Sequence, residues 1–338
     1  MQERAPRRAL LGLLACALPV AAAPATAAAP DLQSVEPEAE APETAAPPSW
    51  VASTRLDRLG RITAPVYVNG GGPYAFVVDT GASRSAIAPR LVEALALTSE
   101  PGAGMTLRGI TGTQQVPSIR VERIEYAHVQ LTDQLLPVVR PGIFADADGI
   151  LGVDGLEDSC VHADFRRETL SIDPGRCPRL EPGWLRAPAK LRFGRLFTVK
   201  GRVGRVPVSI IVDTGAERSL GNAALREALE RRRKREDPTL PAEVIGATWQ
   251  TMPGDMLAAP VIHIGDMDIT SAYVTFGDFE VFELWSLGDE PALLLGMDVI
   301  GVADALMIDY ERGELRMLPA GSGSSGRTGS RIPGGRPP

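Results

Sequence analysis

One short passage occurs twice in this chain, and the duplication limits its possible folds more than any other feature. Phe76-Val-Val-Asp-Thr-Gly-Ala-Ser-Arg-Ser85 returns as Ile210-Ile-Val-Asp-Thr-Gly-Ala-Glu-Arg-Ser219. Each copy runs an apolar strand into Asp-Thr-Gly, so each delivers one carboxylate at a strand-to-turn junction. A lone Asp-Thr-Gly is only a polar turn, since all three residues favour turns. The residues downstream of each copy repeat as well. Asp148-Gly-Ile-Leu-Gly-Val-Asp154 answers to Ala292-Leu-Leu-Leu-Gly-Met-Asp298, and Asp164-Phe-Arg-Arg-Glu-Thr-Leu170 to Asp309-Tyr-Glu-Arg-Gly-Glu-Leu315. The three echoes lie 134, 144 and 145 positions apart, so one duplication explains them all, with about ten extra residues in the second copy. If a local two-fold axis relates the copies, Asp79 stands beside Asp213 as a carboxylate pair sharing one proton.

These motifs resemble the retroviral-type (retropepsin-like) aspartic proteases. They are most similar to bacterial relatives whose domains end in Leu-Leu-Gly-Met-Asp and an Asp-Tyr-x-Arg-Gly hairpin. The resemblance covers about residues 54–176 and 190–318. It implies a mainly β acid-protease fold, with two similar lobes forming a pseudo-dimer within one chain. It also implies one active site to which each lobe gives one Asp. On this resemblance the chain is an aspartic endopeptidase with Asp79 and Asp213 as catalytic residues. Thr80 and Thr214 brace the opposite loop, while Gly81 and Gly215 let backbone approach closely. Ala82 and Ala216 stand where pepsin-like enzymes carry a hydroxyl, and its absence leaves the pair's pKa values higher and activity mildly acidic. The alternative is a non-catalytic peptide-binding or assembly module that keeps the fold.

Short β-rich runs cut by Gly and Pro fill the chain between these landmarks. Ile62 to Val68, the turn Asn69-Gly-Gly-Gly-Pro73 and Tyr74 to Val78 form a hairpin ending at Asp79, repeated by Leu196 to Val203 and Val206 to Val212. Period-two runs recur at Ile119 to Ile124 and Val261 to Ile264. Helical spacing is confined to Arg90–Leu97 and Ala223–Arg235, with a further helical turn expected after each Leu-Gly. The basic run Arg231–Arg235 reads as a solvated helix end. Leu107-Arg-Gly-Ile-Thr-Gly-Thr113 is the candidate flap over substrate, with Gly109, Ile110 and Gly112 at its turn; Val244 to Trp249 is its less regular counterpart. Substrate is expected extended, pairing like an added strand. Arg84 and Arg218 recur in both copies and read as salt-bridge partners within each lobe.

The expected domains are a signal peptide at 1–29, an Ala/Pro/Glu linker at 30–53 and an N-terminal lobe at 54–177. A linker at 178–189, a C-terminal lobe at 190–318 and a Gly/Ser/Pro tail at 319–338 complete the chain. The basic start, the apolar Ala9 to Ala23 and the small-residue sites after it are an export pattern. Periplasmic or secreted placement is therefore expected. Leu13-Leu-Ala-Cys16 is similar to a lipoprotein cleavage box, although only six apolar residues precede the Cys. In an oxidising compartment Cys160 and Cys177 can bridge. A net charge of −7 argues against nucleic acid. Three scattered His support neither a zinc site nor a Ser-His-Asp triad, so no metal and no cofactor is expected. The partner is a polypeptide substrate. No membrane span is expected in the mature chain, which reads as a monomer, with a homodimer of exchanged lobes as the other arrangement.

Overall fold

In a computed structural model the described residues are 51–321, apart from 55, 58, 99–103, 180 and 233–237, together with the backbone of 331–333. The signal segment, Cys16, most of both terminal extensions and the end of the basic run lie outside the described residues.

The protein is mainly β, built as two similar lobes on one plan. Each opens with an antiparallel hairpin whose second strand leads to Asp-Thr-Gly: Thr63–Val68 with Gly71–Val78, and Leu196–Val203 with Val206–Val212. The first turn is tighter than the five-residue turn expected. Gly71 already pairs with Val68, so Asn69 and Gly70 alone close it, at φ 51° and 79°. Two successive positive φ angles match the twist of the strands, and Asn-Gly supplies them at low cost.

Beyond each Asp loop come a two-residue strand and a short helix: Ala86–Ile87 and Pro89–Ala94 in the first lobe, Leu220–Gly221 and Ala223–Glu230 in the second. Both helices stop short of the expected ends. Leu95 and Ala96 leave helical geometry, Ala96 at φ 49°, and Arg231 caps the second helix. The apolar segments Gly149–Leu151 and Ala292–Leu295 then slot in, parallel to the Asp-bearing strand on one side and antiparallel to the two-residue strand on the other. With neighbours on both edges and packing on both faces, these segments read as unbroken apolar runs. A helix is present only after the second Leu-Gly, at Met297–Ile300. In the first lobe Gly155 takes φ 94°, which no helix continues through. Much of the second copy's extra length lies between Phe276 and Ala292, where Glu280–Leu284 forms a helix that the strand patterns hid.

The lobes join through a six-stranded antiparallel sheet. Its order is Val51–Ser53, Thr169–Pro174, Ser159–Asp164, Ala305–Asp309, Glu314–Leu318 and Leu185–Arg192. The central pairing crosses the lobe boundary, with Ala305 opposite Asp164 and Asp309 opposite Cys160. Val51–Ser53 and the start of Leu185–Arg192, read from composition as ends of linkers, are its outer strands. Edge strands tolerate Pro188 and need little apolar content, so composition does not reveal them. One buried apolar cluster runs through this junction and both lobes; a smaller one lies beneath each Asp loop.

Candidate active site

The two Asp-Thr-Gly loops meet at the lobe boundary. Leu151 and Leu295 carbonyls accept the backbone N–H groups of Asp79 and Asp213 at 2.9 and 3.0 Å, so each loop starts from a fixed strand end. The threonines then lock the loops together. The Thr80 hydroxyl donates to the Val212 carbonyl at 2.7 Å and accepts the Thr214 N–H at 3.0 Å. Reciprocally, the Thr214 hydroxyl donates to the Val78 carbonyl at 2.6 Å and accepts the Thr80 N–H at 3.1 Å. Four buried backbone groups are thereby paired across the boundary by two side chains.

Above this lock the two carboxyls come close enough for each to shift the ionisation of the other. A Cβ on Gly81 would fall inside the Asp213 carboxyl, and one on Gly215 inside that of Asp79. Only glycine lets each loop cover the other's acid. Asp79 Oδ1 accepts the Gly81 N–H at 2.8 Å; Asp213 Oδ1 accepts those of Gly215 and Ala216 at 2.9 and 3.0 Å. Burial pushes both acids above the ordinary carboxylate range, and the charge of Asp79 pushes Asp213 further. The Gly81 N–H and the Arg61 guanidinium draw Asp79 partly back. Ala82 and Ala216 pack against the apolar clusters under their own loops.

Gly109, Ile110 and Gly112 lie at the tip of a hairpin formed by Gly104–Gly109 and Gly112–Tyr126. The second lobe has its own counterpart, Leu240–Ile245 with Thr251–Ala258, closed by the longer tip Gly246–Gln250. The tips touch. The Thr111 hydroxyl accepts the Gly246 N–H at 3.2 Å and lies 3.3 Å from the Thr248 hydroxyl. Each tip also reaches the far lobe. The Ile110 carbonyl accepts the Val281 N–H and its side chain packs on the second lobe's cluster, while the Trp249 indole lies on Gly142 of the first. Cys160 and Cys177 sit apart from this site, disulfide-bonded at the junction sheet.

Several contributors escaped the reading of motifs. Ser85 donates through its hydroxyl to Asp154 at 2.8 Å and accepts the Gly152 N–H, tying the Asp loop to the Leu-Gly segment beneath it. Ser219, Asp298 and Gly296 do the same in the second lobe. Their signal was present, since Arg-Ser and Gly-x-Asp occur in both copies. Arg84 and Arg218 lie near enough to Asp154 and Asp298 to lower their pKa values, although burial raises both acids overall. Arg61 and Trp249 carried no repeat to mark them. Among the described residues, no three His, Cys, Asp or Glu side chains converge as a metal site would need.

A search of curated proteins finds no match. The family model described as aspartyl protease matches residues 64–154 and 199–299, more than half of the chain, one match on each lobe. Each matched stretch runs from the opening hairpin through Asp-Thr-Gly to the supporting Leu-Gly segment. The chain therefore belongs to the retropepsin-like aspartyl protease family, with two tandem domains in one polypeptide.

Proposed function

We propose that this chain is an aspartic endopeptidase in which Asp79 and Asp213 hydrolyse a peptide bond with water and no covalent intermediate. The observation that carries the reading is the close approach of the two carboxyls, each covered by the other loop's glycine. Such a pair keeps one proton over a wide pH range. The ionised member takes a proton from water as the water oxygen bonds to the scissile carbonyl carbon. The protonated member gives its proton to the carbonyl oxygen, leaving a gem-diol. The diol collapses as the now protonated acid gives its proton to the amide nitrogen, the C–N bond breaks and the other carboxylate takes a proton from a diol hydroxyl. The two flap tips close over an extended polypeptide. Burial without a hydroxyl at Ala82 or Ala216 places the working range at mildly acidic pH.

The basic and apolar N-terminal sequence, with the Cys160–Cys177 disulfide, supports work in an exported, oxidising setting, periplasmic or secreted. No helix among the described residues is long and apolar enough to cross a membrane. The test is an assay of the protein against a peptide library between about pH 4 and 7, beside Asp79→Asn and Asp213→Asn. Either change ends proton sharing and should abolish cleavage while leaving the fold intact. Cleavage by both variants at the wild-type rate would overturn the proposal.

A further inference from the structure

The two halves of the site differ at one buried charge. Thr63 pairs with Val77 and Thr198 with Ile211, so the residues two before each threonine, Arg61 and Leu196, occupy matching places. Leu196 is buried in the apolar cluster under its loop, whereas Arg61 is a cation only 5% exposed. Its Nε and Nη2 face Asp57 Oδ2 at 2.7 and 2.6 Å; Asp57 Oδ1 accepts the N–H groups of Leu59 and Arg61. The remaining nitrogen, Nη1, is on the other side of the guanidinium. It reaches across the boundary to the Gly215 carbonyl, a long contact of 3.5 Å. Gly215 is the residue laid against the Asp79 carboxyl. The counter-charge thus sits on one side of the cation, and its other side meets the Gly215 backbone that lies against Asp79.

We infer that Arg61 makes the catalytic pair unequal, holding Asp79 as the ionised member that accepts water's proton and leaving Asp213 to carry the proton given to the carbonyl. This deepens the endopeptidase reading and rests on it. Arg61 is a positioning residue, acting through Asp79. The charged and titratable groups that act on Asp79 are Asp213 and Arg61, and the Tyr310 hydroxyl, held un-ionised by its burial and then by the charge of Asp79, feels the same acid. For Asp213 the strongest charge effect is that of Asp79, which raises it. Its two backbone N–H donors favour its ionised form, but they carry partial charge, and Asp213 is the more buried of the two acids. Asp79 is favoured likewise by the Gly81 and Ala82 N–H groups, so the backbone donors of the two acids largely offset and the charge of Arg61 behind Asp79 is the difference between them.

The test is a carboxyl 13C NMR titration of the wild type, Arg61→Leu (which copies Leu196), Arg61→Lys and Asp57→Asn. In the wild type the Asp79 signal should ionise first. Arg61→Leu should raise that first step by about one pH unit and move the acid limb of kcat/KM with it. Arg61→Lys should restore it. Asp57→Asn frees the cation from its counter-charge and should lower the step. Asp213 ionising first, or a first step unmoved in Arg61→Leu, overturns the inference. Should Arg61→Leu not fold, an upward or absent shift in Asp57→Asn overturns it instead. The titration needs no substrate, so a protein that cleaves nothing would count against the endopeptidase reading alone.

Discussion

At the scale of residues, Thr80 and Thr214 hold most of what joins the two Asp-Thr-Gly loops. Changing either to Val keeps the volume but strands a buried N–H and a buried carbonyl in the other lobe. Each variant should lose at least about 2 kcal/mol in urea unfolding. The double variant should lose less than the sum, because the two hydroxyls share one network. The acids act on stability in the opposite sense. Burial raises both folded pKa values above the unfolded one, so the folded protein holds the shared proton more tightly. That contribution is whole below the unfolded pKa, near 4, and is lost as pH rises through the folded value. Asp213→Asn cannot ionise and escapes the loss. It should melt several degrees above the wild type at about pH 7, the gap closing toward about pH 4. The triplets were legible because everything they need is local and written twice. Arg61 was not, since Gly215 lies 154 positions away and the second copy carries Leu at the matching place.

At the scale of elements, the opening hairpins, the Leu-Gly segments and the hairpin around Gly109 to Gly112 could be read because alternation and turn chemistry are local signals. The second flap was obscured by its five-residue tip, and the outer strands of the junction sheet by prolines and polar residues. Partners distant in sequence fix both. The flaps also differ in how they are held down. Thr113 donates to Glu280 at 2.8 Å and Ile110 is seated on the second lobe, whereas the other tip rests its Trp249 indole on Gly142. Trp249 sits at φ 61° and remains 44% exposed. Its contact is therefore the weaker latch. Trp249→Ala should free the second tip and weaken binding of a peptide inhibitor on the order of 10-fold, near 1.4 kcal/mol, while leaving the dyad's titration alone. Unchanged inhibitor affinity would show that the first flap alone closes the cleft.

At the scale of the whole molecule, the junction sheet makes the lobes one folding unit. Cys177 donates its N–H to the buried Asp309 at 3.0 Å, and Arg312 and Arg316 hold the carbonyls of Cys177 and Pro178. The Cys160–Cys177 bridge therefore ties the end of the first lobe to a strand already paired with the second. It closes a loop of 17 positions, so Cys160→Ala with Cys177→Ala should cost about 3 kcal/mol. The loss should appear as one cooperative transition at a lower urea midpoint, because the large apolar cluster spans both lobes. Two separate transitions would mean that the sheet couples the lobes weakly.

The same sheet bears on how many chains make a site. In a symmetric dimer of single lobes, the second carboxyl, the second threonine hydroxyl, the facing flap tip and the central sheet partner all come from another copy. Here each is supplied by the same polypeptide: Asp213 to Asp79, Thr214 to Thr80, Thr248 to Thr111 and Asp309 to Cys160. A second chain could gain only by exchanging lobes through the segment between Pro174 and Leu185. That exchange would form no new contact and would order an additional chain, so it is opposed by the entropy of association. Light scattering should give the mass of one chain at micromolar concentration, and titration with a tight active-site inhibitor should give one site per chain. A mass of two chains that persists on dilution would show that the lobes are exchanged between copies.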